Sequence, residues 1–201
     1  MAKSTASVVD PPENALRESA AKARANGSGL LVDARLLFEA KRYARATALA
    51  ILAEEEFMKS FLLDNASLQG RWDLELYEAL SKHGIKLGLA YGLRKMVRML
   101  RPASNVITQH AELHLSSDDD LESLAKSVRE ASKKNDVNYL KQNAFYVGVE
   151  RNGVCSSTPD DLGEADVLKC LKSAEGMRAL VIQQLMLQPA VLIEHPLSKR
   201  S

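Results

Sequence analysis

The run RYARATALAILAEEEFMKSFLL, residues 42–63, carries apolar side chains at Ala46, Leu49, Ala50, Ala53, Phe57 and Phe61. Steps of three and four predict one long core helix. Upstream, LLVDARLLFEAKR gives a second helical stripe from Leu30, Leu31, Ala34, Leu37 and Phe38. The Ala-rich ENALRESAAKARAN, residues 13–26, is helical in character and is expected to stop at Gly27-Ser28-Gly29 in a loop or kink. A third helix is expected from Arg71 towards Arg101, with Trp72, Leu76, Leu80, His83 and Leu87 on one face. Its glycines at 84, 88 and 92 imply a close neighbour or a break, since each costs about 1 kcal/mol against Ala.

Pro102 closes that element, and residues 103–118 read as a loop. SSDDDLESLAKSVREASKKN, residues 116–135, opens with serine and acids and ends in lysines, which suits a helix dipole. FYVGVERNGV is short and extended, with Asn152-Gly153 as a turn. Thr158-Pro159-Asp160-Asp161 is a helix start, and the last helix carries Val167, Leu168, Leu171, Ala174 and Leu180 before Pro189. The pattern predicts an all-α bundle of four to five main helices with a short irregular insertion before the last. Residues 1–12 are expected to be a disordered leader, 13–188 a single helical domain and 189–201 a C-terminal tail.

Composition supports helices over sheets: 46% of the 201 residues are hydrophobic, but only 5% are aromatic. The net charge of +1 advertises neither nucleic acid nor membrane, so such a partner would need a local patch. Cys155 and Cys170 form no metal or disulfide pattern. Without a signal-like N-terminus or an apolar span, a cytoplasmic protein is expected.

Three carboxylates, Glu54, Glu55 and Glu56, interrupt the core helix, with Lys59 one turn on. Lys59 is within reach of Glu55 at i,i+4 and of Glu56 at i,i+3. Glu56 extends the row of Leu49 and Leu52 at the shoulder of the apolar stripe, where a carboxylate needs a partner. His83 offers itself from the third helix, with Lys86 one turn further. The bland alternatives are a surface ion pair and a satisfied core histidine. No acid lies between Ala79 and Ala111, whereas Lys82, Lys86, Arg94, Lys95, Arg98 and Arg101 all do. Most of these fall near one helical face, forming either a strip suited to phosphate or a solvated face. His110 and His114 are four apart but lack a third ligand, so no metal and no cofactor is expected.

GLLVDARLLFEAKRYARATALAILAEEEFMK resembles the signature helix pair of the AbiV-type abortive infection proteins, a HEPN-like family of bacterial phage defence. Arg42, Tyr43 and Ala46 match its R-Y-x-x-A, and Glu55, Glu56 and Lys59 its E-E-x-G-K, with Met58 in place of glycine. His83 and Lys86 resemble its H-x-x-K. Lys141 with Phe145-Tyr146-Val147 and Pro159 resembles a later basic-then-L-Y-V segment, with Gly148 replacing the usual acid. The match covers about residues 28–180.

The resemblance implies a HEPN-type bundle, often a homodimer, acting in antiviral growth arrest. Many HEPN proteins are metal-independent ribonucleases with an R-x(4–6)-H motif, but here none of the eligible positions before His83, His110, His114 or His195 is arginine. Two readings stay open. One is an effector that arrests the infected cell by acting on RNA or a ribosome-associated target, with a phage-encoded trigger. Its candidate catalytic constellation is Glu55, Glu56, Lys59, His83 and Lys86, and Lys82, Arg94, Lys95, Arg98, Arg101, Lys141 and Tyr146 are candidates for RNA or phosphate binding. A nuclease form would use His83 as general acid and base, with Lys86 or Lys141 stabilising charge. The other is a non-enzymatic, protein- or nucleotide-binding dimer whose polar cluster is structural.

Overall fold

A computed structural model describes residues 11–12, 14–100, 136–151 and 153–187. The chain begins with α1 (Ala15–Glu39) and α2 (Tyr43–Gln69), which pack along each other as an antiparallel pair. The expected stop at Gly27 does not occur, because α1 runs through it without interruption. A Cβ on Gly27 would lie 3.1 Å from ring carbons of Phe57 and 3.2 Å from the Ala53 carbonyl oxygen. Glycine here lets the two helices approach closely, and their packing offsets its poor helix propensity. The turn after α1 needs one left-handed residue, Lys41 at φ 57°.

α2 is the centre of the molecule. Besides α1 it touches α3 (Leu74–Ser81), α4 (His83–Leu100), α5 (Asp136–Phe145) and α6 (Glu164–Leu187). Its alanines at 46, 50 and 53 admit these neighbours, while Phe57 and Ile51 fill the space between them. A helix enclosed on nearly all sides has no fully solvated face for three acids. Glu54 and Glu55 are accordingly buried, and Glu56 is partly so.

The single helix expected from Arg71 to Arg101 is two. α3 starts at Asp73, whose Oδ1 accepts the Leu76 N–H at 2.8 Å. It ends at Lys82, which is extended at φ −93° and ψ 117°. The break therefore precedes the glycines, and Gly88 and Gly92 are buried inside an unbroken α4. This break makes His83 the first residue of α4 and sets it and Lys86 on the opening turn, towards α2.

After α5, β1 (Gly148–Val149) and β2 (Cys155–Ser157) form an antiparallel hairpin whose turn uses Gly153 at φ 82°. Thr158-Pro159-Asp160-Asp161 does not open the last helix directly. Pro159–Asp161 is a separate 3-10 turn in which Asp161 Oδ2 accepts the Thr158 N–H at 2.6 Å. α6 follows from Glu164, where Asp166 Oδ2 accepts the Gly163 N–H at 3.1 Å. Val167, Leu171 and Ala174 enter the core, whereas Leu168 stays exposed. The all-α bundle with an irregular insertion before its last helix is the architecture that forms. The loop expected at 103–118 and the helix at 116–135 lie outside the described residues.

Candidate functional site

Three helices converge on one carboxylate. Glu55 sits mid-way along α2 with its side chain 2% exposed. Its Oε1 accepts a hydrogen bond from Lys141 Nζ of α5 at 2.7 Å, and its Oε2 pairs with Nδ1 of His83. Lys86, one turn along α4 from His83, places Nζ 3.8 Å from the same Oε2. The sequence pointed to Glu56 as the partner of His83, but the partner is Glu55. Glu56 instead takes Lys59, resolving the choice between the two spacings in favour of i,i+3.

An ionised carboxylate only accepts hydrogen bonds, so Nδ1 carries the ring proton of His83. In the neutral tautomer that donates from Nδ1, the lone pair is on Nε2. Because the His83 side chain is 53% exposed, that nitrogen is the one left for an incoming group. A buried acid orienting a half-exposed imidazole is an arrangement for proton transfer.

Lys86 stands differently. It is 4% exposed, and the ion pair it makes with Glu55 is longer than a hydrogen bond. Burial pushes its ammonium below the ordinary lysine range; Glu55 opposes this most strongly, and Lys59 and Lys141 add repulsion. Lys59, Lys86 and Lys141 thus outnumber Glu55 and Glu56 in one small volume. Such a volume suits an added oxyanion. Among the described residues, no three His, Cys, Asp or Glu side chains form a metal-ligand group.

Of the residues assigned to the basic strip, Lys82 and Lys86 are the two whose side chains are described, and they separate. Lys82, in the break between α3 and α4, is exposed and donates to Glu78 at 2.6 Å, whereas Lys86 is buried, so the two do not share a solvent face. Lys141 belongs with Glu55. Tyr146 is 70% exposed just after α5. Arg94, Lys95 and Arg98 lie on α4 with side chains outside what is described, and Arg101, His110, His114 and His195 lie wholly outside it.

A second polar seam escaped sequence reasoning. Arg24 of α1 donates to Ser60 Oγ at 3.0 Å and to Asp64 of α2, and Arg17 donates to Ser67 at 3.1 Å. Burial raises the Asp64 carboxyl above its ordinary value despite the opposing pull of Arg24, of the Ser60 hydroxyl and of Arg17. Its signal was the placement of Ser60 and Asp64, four apart, one turn beyond Phe57 on the buried side of α2.

Comparison with known proteins gives the chain its class. A family model of the HEPN type, described as AbiV, matches residues 15–178. The chain belongs to the AbiV family, whose setting is abortive-infection defence against phage. No curated protein and no solved structure matches it. Among the described residues, no helix is long and apolar enough to cross a membrane.

Proposed function

We propose that this AbiV-family protein is a growth-arresting effector acting on RNA, with the Glu55–His83 pair as its proton-transfer centre and Lys86 and Lys141 as its phosphate-facing cations. The observation that carries this reading is the buried Glu55 holding Nδ1 of a half-exposed His83, with two lysines on the same carboxylate. His83 Nε2 would take the proton of a ribose 2′-hydroxyl as its oxygen attacks phosphorus, the P–O5′ bond would break, and the ring would return the proton to the departing 5′-oxygen, while the ammonium groups would lower the energy of charge gathering on the phosphorus-bound oxygens. Glu56 and Lys59 border this centre through their field at Lys86. The phage-encoded trigger and a homodimeric state belong to the same proposal.

The test is induction in growing cells, wild type beside His83→Ala, with translation followed and total RNA run from the same samples. Arrest with fragmented RNA that disappears in the His83 variant supports the reading. At 53% exposure the His83 side chain gives up little buried area on truncation, and the fold of the variant is checked by circular dichroism before it is scored. Fragmentation that persists in a folded His83→Ala protein would falsify the assignment.

A second reading is a non-enzymatic interaction module. It draws on the same geometry, since Glu55 ties α2 to both α4 and α5 and would do so in a purely structural role. Its mark is His83→Ala cells that still arrest, with RNA intact in both strains.

A further inference from the structure

We infer that the exposed Phe145–Tyr146 ring pair is a stacking platform for the unpaired bases of single-stranded RNA at the Glu55–His83–Lys141 centre; this rests on the RNA reading above. Side chains of α5 and of the residue that follows it differ sharply in exposure. Lys141 and Ala144 face the bundle at 9% and 2% exposure, whereas Tyr139 is 56% exposed, Phe145 46% and Tyr146 70%. Three aromatic side chains in water on one short segment stand out in a chain with one Trp, five Tyr and four Phe. The Phe145 and Tyr146 ring centroids are 6.2 Å apart, with the planes at 58°.

The pair follows Lys141 of the polar centre on the same segment. Phe145 follows Lys141 by one helical turn, a rise of about 6 Å, and Lys141 itself donates to Glu55. The end of the helix is braced as well. The Tyr146 N–H reaches the Gln142 carbonyl at 2.9 Å, and Ser157 of β2 donates to Asn143 Oδ1 at 3.0 Å, fastening the hairpin to α5. Gly148 permits that fit, because a Cβ there would run into the hydroxyls of Ser156 and Ser157.

The ligand class follows from the two chemistries side by side. A lysine-rich centre draws phosphate, and exposed rings draw the flat faces of bases, so a chain alternating both groups satisfies them together. Bases in a duplex are already stacked on each other and cannot use the rings, which selects the single strand. Val147, Val149 and Val154 are exposed nearby, so a protein partner is the competing occupant. Rings one helical turn from Lys141 favour RNA over it.

The test is fluorescence anisotropy on the full chain with three labelled probes of about twelve nucleotides: a 2′-O-methyl oligouridylate, an abasic strand of the same phosphate number, and an RNA duplex. Phe145→Ala/Tyr146→Ala is expected to weaken the oligouridylate about fivefold or more and to leave the abasic strand unchanged. Phe145→Leu/Tyr146→Leu, which keeps apolar bulk without flat rings, should lose as much, guarding against a folding defect in the alanine variant. Wild-type protein that holds the duplex as tightly as the single strand overturns the inference. Equal losses on both single strands, or none on the oligouridylate, overturn the platform while the RNA reading survives. Wild-type protein that binds no probe ends the RNA reading and the platform with it. A wild-type dimer that becomes monomeric in both double variants would assign the rings to a protein interface instead.

Discussion

Lys141 Nζ lies 2.7 Å from Glu55 Oε1 across a separation of 86 residues, and this one contact fastens α5 to the middle of α2. Both side chains are buried, so each relies on the other more than on water. Breaking a buried pair by removing one charge is far more damaging than its net contribution suggests, because the remaining charge stays desolvated.

Glu55→Gln keeps the size of the side chain and removes its charge, leaving Lys141 and Lys86 without their carboxylate. The expected loss is roughly 3–5 kcal/mol, read as a lower urea midpoint. An unchanged midpoint would mean that the lysines had turned to other partners.

For Lys86 the balance runs the other way. Desolvation is the largest influence on its ammonium and exceeds the pull of Glu55, so the charged form is less favoured in the fold than in the unfolded chain. Lys86→Met should therefore be at least as stable as wild type at neutral pH. With the folded pKa below the ordinary 10.5, the unfolded chain holds more protons in that window, and wild-type stability climbs relative to the variant as pH rises towards 10.5. Paired denaturation curves between neutral and alkaline pH read this slope, and a slope of opposite sign would show that pairing outweighs burial.

Asp64 gives an acid-side counterpart. Its carboxyl is raised above 3.8 with burial as the leading cause, so the folded protein binds this proton more tightly than the unfolded chain does. Stability from this group grows as pH falls through the folded pKa, is complete below 3.8, and is lost as pH rises again. Wild type should gain on Asp64→Asn as acid is added, in urea titrations run side by side. Parallel curves would remove the group from the acid response.

Gly27→Val tests the α1–α2 crossing. Extra atoms would press on the Phe57 ring and the Ala53 carbonyl, both held in the core. Overpacking of this kind costs about 1–3 kcal/mol, seen as a lower Tm. A variant as stable as wild type would show that the helices can separate without loss.

The Ala46, Ala50, Ala53 and Phe57 stripe of α2 was legible because periodicity alone marks a core helix, and Arg42-Tyr43 and Glu55-Glu56 were legible as a family signature. The burial of Glu55 was less so. Periodicity gave α2 one apolar stripe and a shoulder, and so favoured Glu56, whereas the observed helix is covered on most sides. Gly27 misled for a related reason, since a glycine that looks like a stop in one helix becomes a point of contact once a second helix lies against it. The break at Lys82 had no strong local signal, and the glycines two to ten residues later drew attention away from it.

What the sequence by itself determined is the set of elements and their chemistry. Helical spacing, caps and turn residues act between near neighbours, and they carry the all-α class and the turn at Gly153, while the family rests on the motif residues and the family model that matches the chain. What only the tertiary structure decided is which charges meet. Glu55, His83, Lys86 and Lys141 come from three helices, and Arg24 finds Asp64 on a third pairing of surfaces, between α1 and α2. Those encounters depend on how helices cross and which faces they cover, and burial then sets the direction in which Lys86 and Asp64 titrate.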